Sequence, residues 1–175
     1  GDKIAVTADP VEVQKLLKDL GILQKQARKV MIVGASRTAY YLSKMLLGIG
    51  CSVKVIDSNI EKCEKFSELL NKVDVVHGDA AREELLLEEG LSSMDAFVSL
   101  TGMDEENILL SYYASSHDTP KVVSKVNRTE FSAMAEKLGI DSIISPKIAT
   151  SDIVVRYARA LENSIGSSVE TMYKL

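Results

Sequence analysis

Cysteine and histidine are scarce in this 175-residue chain, and their positions exclude several kinds of chemistry. The two cysteines, Cys51 and Cys63, form neither a C-x-x-C pair nor a metal-ligand spacing, so a disulfide scaffold and a thiolate zinc site are both excluded. The two histidines, His77 and His117, have no clustered partners, which argues against a histidine metal centre. No apolar run approaches the ~18 residues of a membrane helix, and no signal peptide is visible. Basic excess is also missing. The net charge of −4 argues against a nucleic-acid surface. No Ser/His/Asp or Cys/His arrangement offers an activated nucleophile. Tyr40-x-x-x-Lys44 matches a reductase pair in spacing, but it falls on the helix after the first strand, where it cannot face a nicotinamide. These absences leave a cytoplasmic α/β domain as the expectation. The chain opens on Gly1 rather than Met, which points to a piece of something longer.

What is present is organised around residues 29–44. Val30 to Val33 read as a buried strand, Gly34 stops it, and a helix with Ala39, Leu42, Leu46 and Ile49 on one face follows. Strand, glycine turn and helix together open a dinucleotide-binding unit. The free N–H groups and positive dipole end of such a helix suit a phosphate. A second strand, Ser52 to Ile56, ends in Asp57. That carboxylate follows Gly34 at close to the ~20-residue interval expected of a ribose ligand. The loop reads Gly34-x-Ser36-x-x-Ala39 in place of Gly-x-Gly-x-x-Gly. Alanine at the third position still permits close packing. Ser36 adds a Cβ near the pyrophosphate, and its hydroxyl either caps the helix or bonds a phosphate oxygen.

Before this unit, Lys3 to Thr7 alternates as a strand, and Asp9-Pro10 opens a helix with Leu16, Leu17 and Leu20 inward that ends at Gly21. After it, strand–helix units repeat. Helices are expected over 60–70, with Cys63, Phe66, Leu69 and Leu70 inward, and over 83–89, 104–116, 129–138 and 148–164. Strands are expected over 73–77, 96–100, 121–126 and 142–144. Met172 to Leu175 hints at a further strand. Six alternating strands imply a Rossmann-like, doubly wound parallel sheet of order 3-2-1-4-5-6. Residues 1–27 read as the tail of a preceding lobe, 28–150 as the nucleotide-binding domain, and 151–175 as a crossover helix and the start of a following lobe.

A ligand is expected outside the carboxyl ends of the strands, between strands one and four. The residues delivered there are Gly34, Ser36, Arg37, Thr38, Asp57, Ser58, Asp79, Ala80, Thr101, Gly102 and Lys125. Arg37 either pairs with a phosphate or is solvated. Asp79 either meets an adenine amino group or caps the short helix after it. Asp104, Glu105 and Glu106 suit a helix N-terminus through the dipole alone. Asp57 either holds the ribose hydroxyls or caps the helix near Ile60, with Ser58 as competitor. As a ribose ligand it would repel a 2′-phosphate, and its neighbours Ser58 and Asn59 bring no charge to rescue NADP.

With these residues placed, the chain resembles the RCK family, also called KTN or TrkA N-terminal domains, and within it the second Rossmann half of a TrkA-type subunit. The matching segments are Gly34-Ala-Ser36-Arg37-Thr-Ala39, Val-Ile-Asp57, Gly78-Asp79-Ala80, Thr101-Gly-Met-Asp104-Glu105-Glu-Asn107, Asn127-Arg128 and Ser145-Pro146. The resemblance implies a non-enzymatic regulatory role. It implies NAD or NADH as ligand, with ATP, ADP or AMP as further candidates, and a potassium-translocating membrane subunit as partner. It also implies homo-dimers or higher oligomers through the 148–164 helix, and a place at the inner face of the cell membrane. The family loop carries arginine at the position of Arg37, while Ser36, Ala39 and Lys125 depart from its pattern.

Overall fold

The computed structural model describes residues 10–20, 26–140 and 142–166. Six strands form one parallel sheet: β1 (Lys29–Val33), β2 (Ser52–Asp57), β3 (Asp74–His77), β4 (Ala96–Ser99), β5 (Val122–Lys125) and β6 (Ser142–Ile144). Their order is β3-β2-β1-β4-β5-β6, so the chain reverses direction across the sheet between β1 and β4. The helices are α1 (Pro10–Asp19), α2 (Arg37–Gly48), α3 (Ile60–Leu69), α4 (Glu83–Glu88), α5 (Asp104–Ser116), α6 (Thr129–Lys137) and α7 (Pro146–Gly166).

Both sheet faces are covered, which is why the central strands are apolar throughout. Val30, Ile32, Val53 and Val55 pack with Ala39 and Phe66 on one face. Met31, Val33, Ile56 and Phe97 pack with Leu86, Leu110 and Ala114 on the other. A polar seam crosses this second layer. Ser99, Asn107, Ser111 and Ser124 are all fully buried. Ser99 Oγ lies 3.0 Å from the Asn107 carbonyl, 2.9 Å from Ser111 Oγ and 3.3 Å from Ser124 Oγ.

Some inward-facing expectations fail for local reasons. Ile49 is 59% exposed, because α2 ends at Gly48 and Ile49 serves as its C-cap. Leu69 ends α3 and is exposed, while Leu70, the next residue, packs on the core in its place. Leu16 of α1 and Leu20, just past its end, are exposed. The last helix starts at Pro146, two residues earlier than the periodicity suggests, and Ile153, Val154 and Tyr157 along it are exposed. The expected strands at Lys3–Thr7 and Met172–Leu175, and the helix stop at Gly21, lie outside the described residues. No helix of the described residues is long and apolar enough to cross a membrane.

Candidate functional site

A cleft of about 180 Å³ opens at the carboxyl ends of β1, β2 and β4. The glycine loop forms its centre. Gly34 has φ +100°, and a Cβ there would lie 2.8 Å from the Leu100 carbonyl oxygen, so glycine is required on both counts. Ser36 needs no such licence, since φ −91° and ψ 169° are ordinary extended values. Its Oγ accepts from Ala39 N at 3.2 Å, which makes it the N-cap of α2. The hydroxyl proton is left over to donate outward, so capping and phosphate contact are compatible roles for this serine. Arg37 N and Thr38 N have no acceptor among the described residues. They are the two donors the first turn of α2 offers to a phosphate.

Asp57 ends β2 with its carboxylate turned into the loop. Oδ2 accepts from Ala35 N at 2.7 Å and Oδ1 from Asn59 N at 2.9 Å, and the residue is 9% exposed. Neither Asp57 nor Ser58 caps the next helix. Asn59 does, accepting from Lys62 N at 3.0 Å. Cys63 lies behind this carboxylate, with Sγ 3.3 Å from the Asp57 carbonyl, and burial followed by the Asp57 charge pushes its thiol pKa up. A protonated, buried thiol is a packing group rather than a nucleophile. Asp79 Oδ1 accepts from Ala81 N, an Asx turn that precedes α4 rather than a cap upon it.

The far wall belongs to β4 and α5. Thr101 N donates to Asn107 Oδ1 at 2.9 Å, and Asn107 Nδ2 donates to the Lys125 carbonyl at 3.0 Å, which ties the tips of β4 and β5 together. Asp104 is more than a dipole acid. It is 5% exposed and accepts from Asn127 N, Asn127 Nδ2 and Arg128 N, each at 2.9 Å. Burial alone would raise its carboxyl pKa, but these donors and the Arg128 charge outweigh burial and hold it below the ordinary value. Glu105 pairs with Arg128.

Of the residues expected at the site, Gly34, Ser36, Asp57, Ser58, Asp79, Ala80, Thr101 and Gly102 line this one cleft. Three do not. Lys125 is spent on the Thr101 carbonyl, which its Nζ reaches at 2.5 Å. Arg37 and Thr38 start α2 with their side chains outside the cleft, and Arg37 lines a neighbouring cavity. Lys62, Gly78, Met103 and Glu106 line the cleft without having been foreseen. Lys62 and Glu106 were legible only through helix geometry, each sitting in the first turn of the helix that follows a strand tip. Tyr40 packs edge-on against Phe66, so the tyrosine of the Tyr40/Lys44 spacing faces α3 and does not line the cleft.

The model of the TrkA-N domain family matches residues 30–146. Over 170 residues the chain is 31% identical to an Archaeoglobus fulgidus protein described as a Trk system potassium uptake protein TrkA homolog. That match covers 97% of this chain and 38% of the relative, so the chain spans well under half of the relative's length. Among solved structures, the RCK domain of GsuK superposes with a TM-score of 0.66 at 21% identity, over 81% of this chain and 30% of that one. The GsuK channel bound to NAD superposes at 0.60 and 14% identity, over 77% and 25%. At these identities the two structures show a shared fold.

Proposed function

The chain belongs to the TrkA-N domain family, and from that membership and the geometry of the cleft we propose that it is a nucleotide-binding regulatory domain of a potassium-transport system. The carrying observation is the convergence of the Gly34 loop, Asp57, Asp79 and Thr101-Gly102 on one cleft at the sheet's reversal point, where ligands of such sheets bind. The ligand is NAD or NADH, with ATP, ADP and AMP as alternatives. The NAD in the GsuK channel neighbour supports the first choice. The cleft is smaller than the ~300–1,000 Å³ of an enclosing small-molecule site. A dinucleotide would therefore lie across its mouth, with phosphates at Arg37 N and Thr38 N and the adenosine ribose over Asp57.

The partner is a potassium-translocating membrane subunit, which places the domain at the inner face of the membrane. The exposed Ile153, Val154 and Tyr157 of α7 support self-association into dimers or larger rings. Residues 28–150 form the nucleotide-binding unit, with 1–27 belonging to a preceding lobe and 151–175 leading into the next. Regulation follows if the nucleotide binds one assembly state better than another, since only differential affinity shifts an equilibrium. An oxidoreductase reading has less support. The ionisable groups lining the cleft are Asp57, Lys62, Asp79 and Glu106, and none of them is paired with a nucleophile. A thermal-shift series with NAD, NADH, ATP, ADP and AMP tests the proposal, with ~2.7 kcal/mol of stabilisation expected at 100 times Kd. No shift with any of them would leave a purely structural half. Protein-dependent NADH oxidation with a carbonyl panel would favour the enzyme.

A further inference from the structure

A second cavity, of about 290 Å³, lies beside the cleft and shares Ser36 and Lys62 with it. It opens between the start of α2 and one side of α3, from Lys62 to Leu69. Tyr40 and Phe66 line it, together with the cationic side chains of Arg37, Lys62 and Lys65, and no carboxylate lines it. Arg37 and Lys65 have no acidic partner among the described residues, while Lys62 Nζ stands 3.9 Å from Asp57 Oδ2. All three are exposed. The charge of the Asp57 carboxylate is in turn partly offset on this side. Each of its oxygens already accepts a backbone N–H, and Lys62 adds a positive charge at its edge. Counting sequence neighbours missed this, because Lys62 reaches Asp57 through a turn of α3.

We infer that this site takes a 2′-phosphorylated adenine dinucleotide, NADP or NADPH, with the 2′-phosphate held in the cavity of Arg37, Lys62 and Lys65. A ribose over the end of β2 brings its 2′ substituent towards Lys62, which lines both the cleft and this cavity. A phosphate there gains charge-assisted hydrogen bonds from Arg37 and Lys65, which have no acidic partner among the described residues, and from Lys62. Tyr40 and Phe66 lower the local dielectric beneath it, which strengthens those bonds. This rests on the reading of the neighbouring cleft as a nucleotide site and reverses the expectation that Asp57 excludes NADP.

Titration calorimetry of the full chain with NAD and NADP, in ~50 mM and ~200 mM salt, separates the possibilities. The expected result is NADP binding at least as tightly as NAD at low salt, with the steeper loss of affinity at high salt. Lys65→Gln should weaken NADP about tenfold more than it weakens NAD, and Lys62→Gln with Lys65→Gln should widen that gap. Both side chains are exposed, so the variants should fold, and unchanged thermal unfolding would verify it. NAD binding with NADP at least tenfold weaker overturns the inference and leaves the cleft reading standing. Equal affinities insensitive to Lys65→Gln also overturn it, because the phosphate would then face solvent. Binding of neither dinucleotide overturns both.

Discussion

Asp57→Ala removes a side chain that joins the glycine loop to the start of α3. Two bonds are lost, at 2.7 Å from Ala35 N and 2.9 Å from Asn59 N. Hydrogen bonds to a carboxylate contribute about 1.5–3 kcal/mol each, and the loop's edge lets water replace part of that, so about 3 kcal/mol in total is expected. For a chain of this size that is a fall in Tm of roughly 6–12 °C, well short of unfolding a domain stable by ~5–15 kcal/mol. Asp57→Asn keeps one acceptor oxygen and should cost about half as much. Urea denaturation of the three proteins measures both numbers. The second readout is inorganic pyrophosphate, which has no ribose. If Asp57 shapes the phosphate loop, pyrophosphate binding weakens in Asp57→Ala along with nucleotide binding. A variant within ~0.5 kcal/mol of wild type, with unaltered pyrophosphate affinity, would refute this reasoning and return Asp57 to a ribose ligand alone.

Gly34→Ala should cost more than ~4 kcal/mol, because the positive φ and the 2.8 Å approach to the Leu100 carbonyl both press against backbone; urea denaturation showing less than ~1 kcal/mol would refute the clash. Asp104→Ala strands the N–H groups of Asn127 and Arg128 and should destabilise by about 3–5 kcal/mol at neutral pH. Because the native carboxyl is held below its ordinary value of 3.8, that contribution is complete above this value and fades as pH falls through the native one. Wild type and variant should therefore converge in stability under acid and diverge again towards neutrality, as urea midpoints against pH would record. Val154→Glu with Tyr157→Glu, on the exposed side of α7, should reduce self-association in sedimentation velocity at several concentrations without lowering Tm. A wild type that sediments as a monomer throughout would remove α7 as an interface.

The sheet order and the position of Asp57 were legible in the sequence, because buried parallel strands leave unbroken apolar runs and the acid sits at the end of one. The partners of Asp57 were not. Backbone donors such as Ala35 N carry no signature of their own, and the choice among Asp57, Ser58 and Asn59 as cap depends on which residue is extended when α3 begins. Lys125 looked like a site residue by register, yet a carbonyl within reach of its amine claims it. Ile49 and Leu69 fit the helical period and still face outward, since the period says nothing about where a helix stops. Glu106 read as an acid suited to any helix start, and only the fold shows that it overlooks the cleft.

The buried serines also act on how the strands are assembled. In β4 and β5, apolar residues face both layers, so hydrophobicity alone barely distinguishes one alignment of the two strands from a neighbouring one. Ser99 sits directly opposite Ser124 in the observed alignment, and Ser111 and the Asn107 carbonyl of α5 complete their hydrogen bonding. A slip of β5 by one residue would turn the Ser124 hydroxyl to the other layer, away from Ser99, at a cost of about 1–3 kcal/mol. The seam thus works as a key that only one alignment turns. Because Asn107 bridges Thr101, two residues past β4, and Lys125, the last residue of β5, the same key fixes how far each strand tip projects, and with it the height of the cleft's far wall.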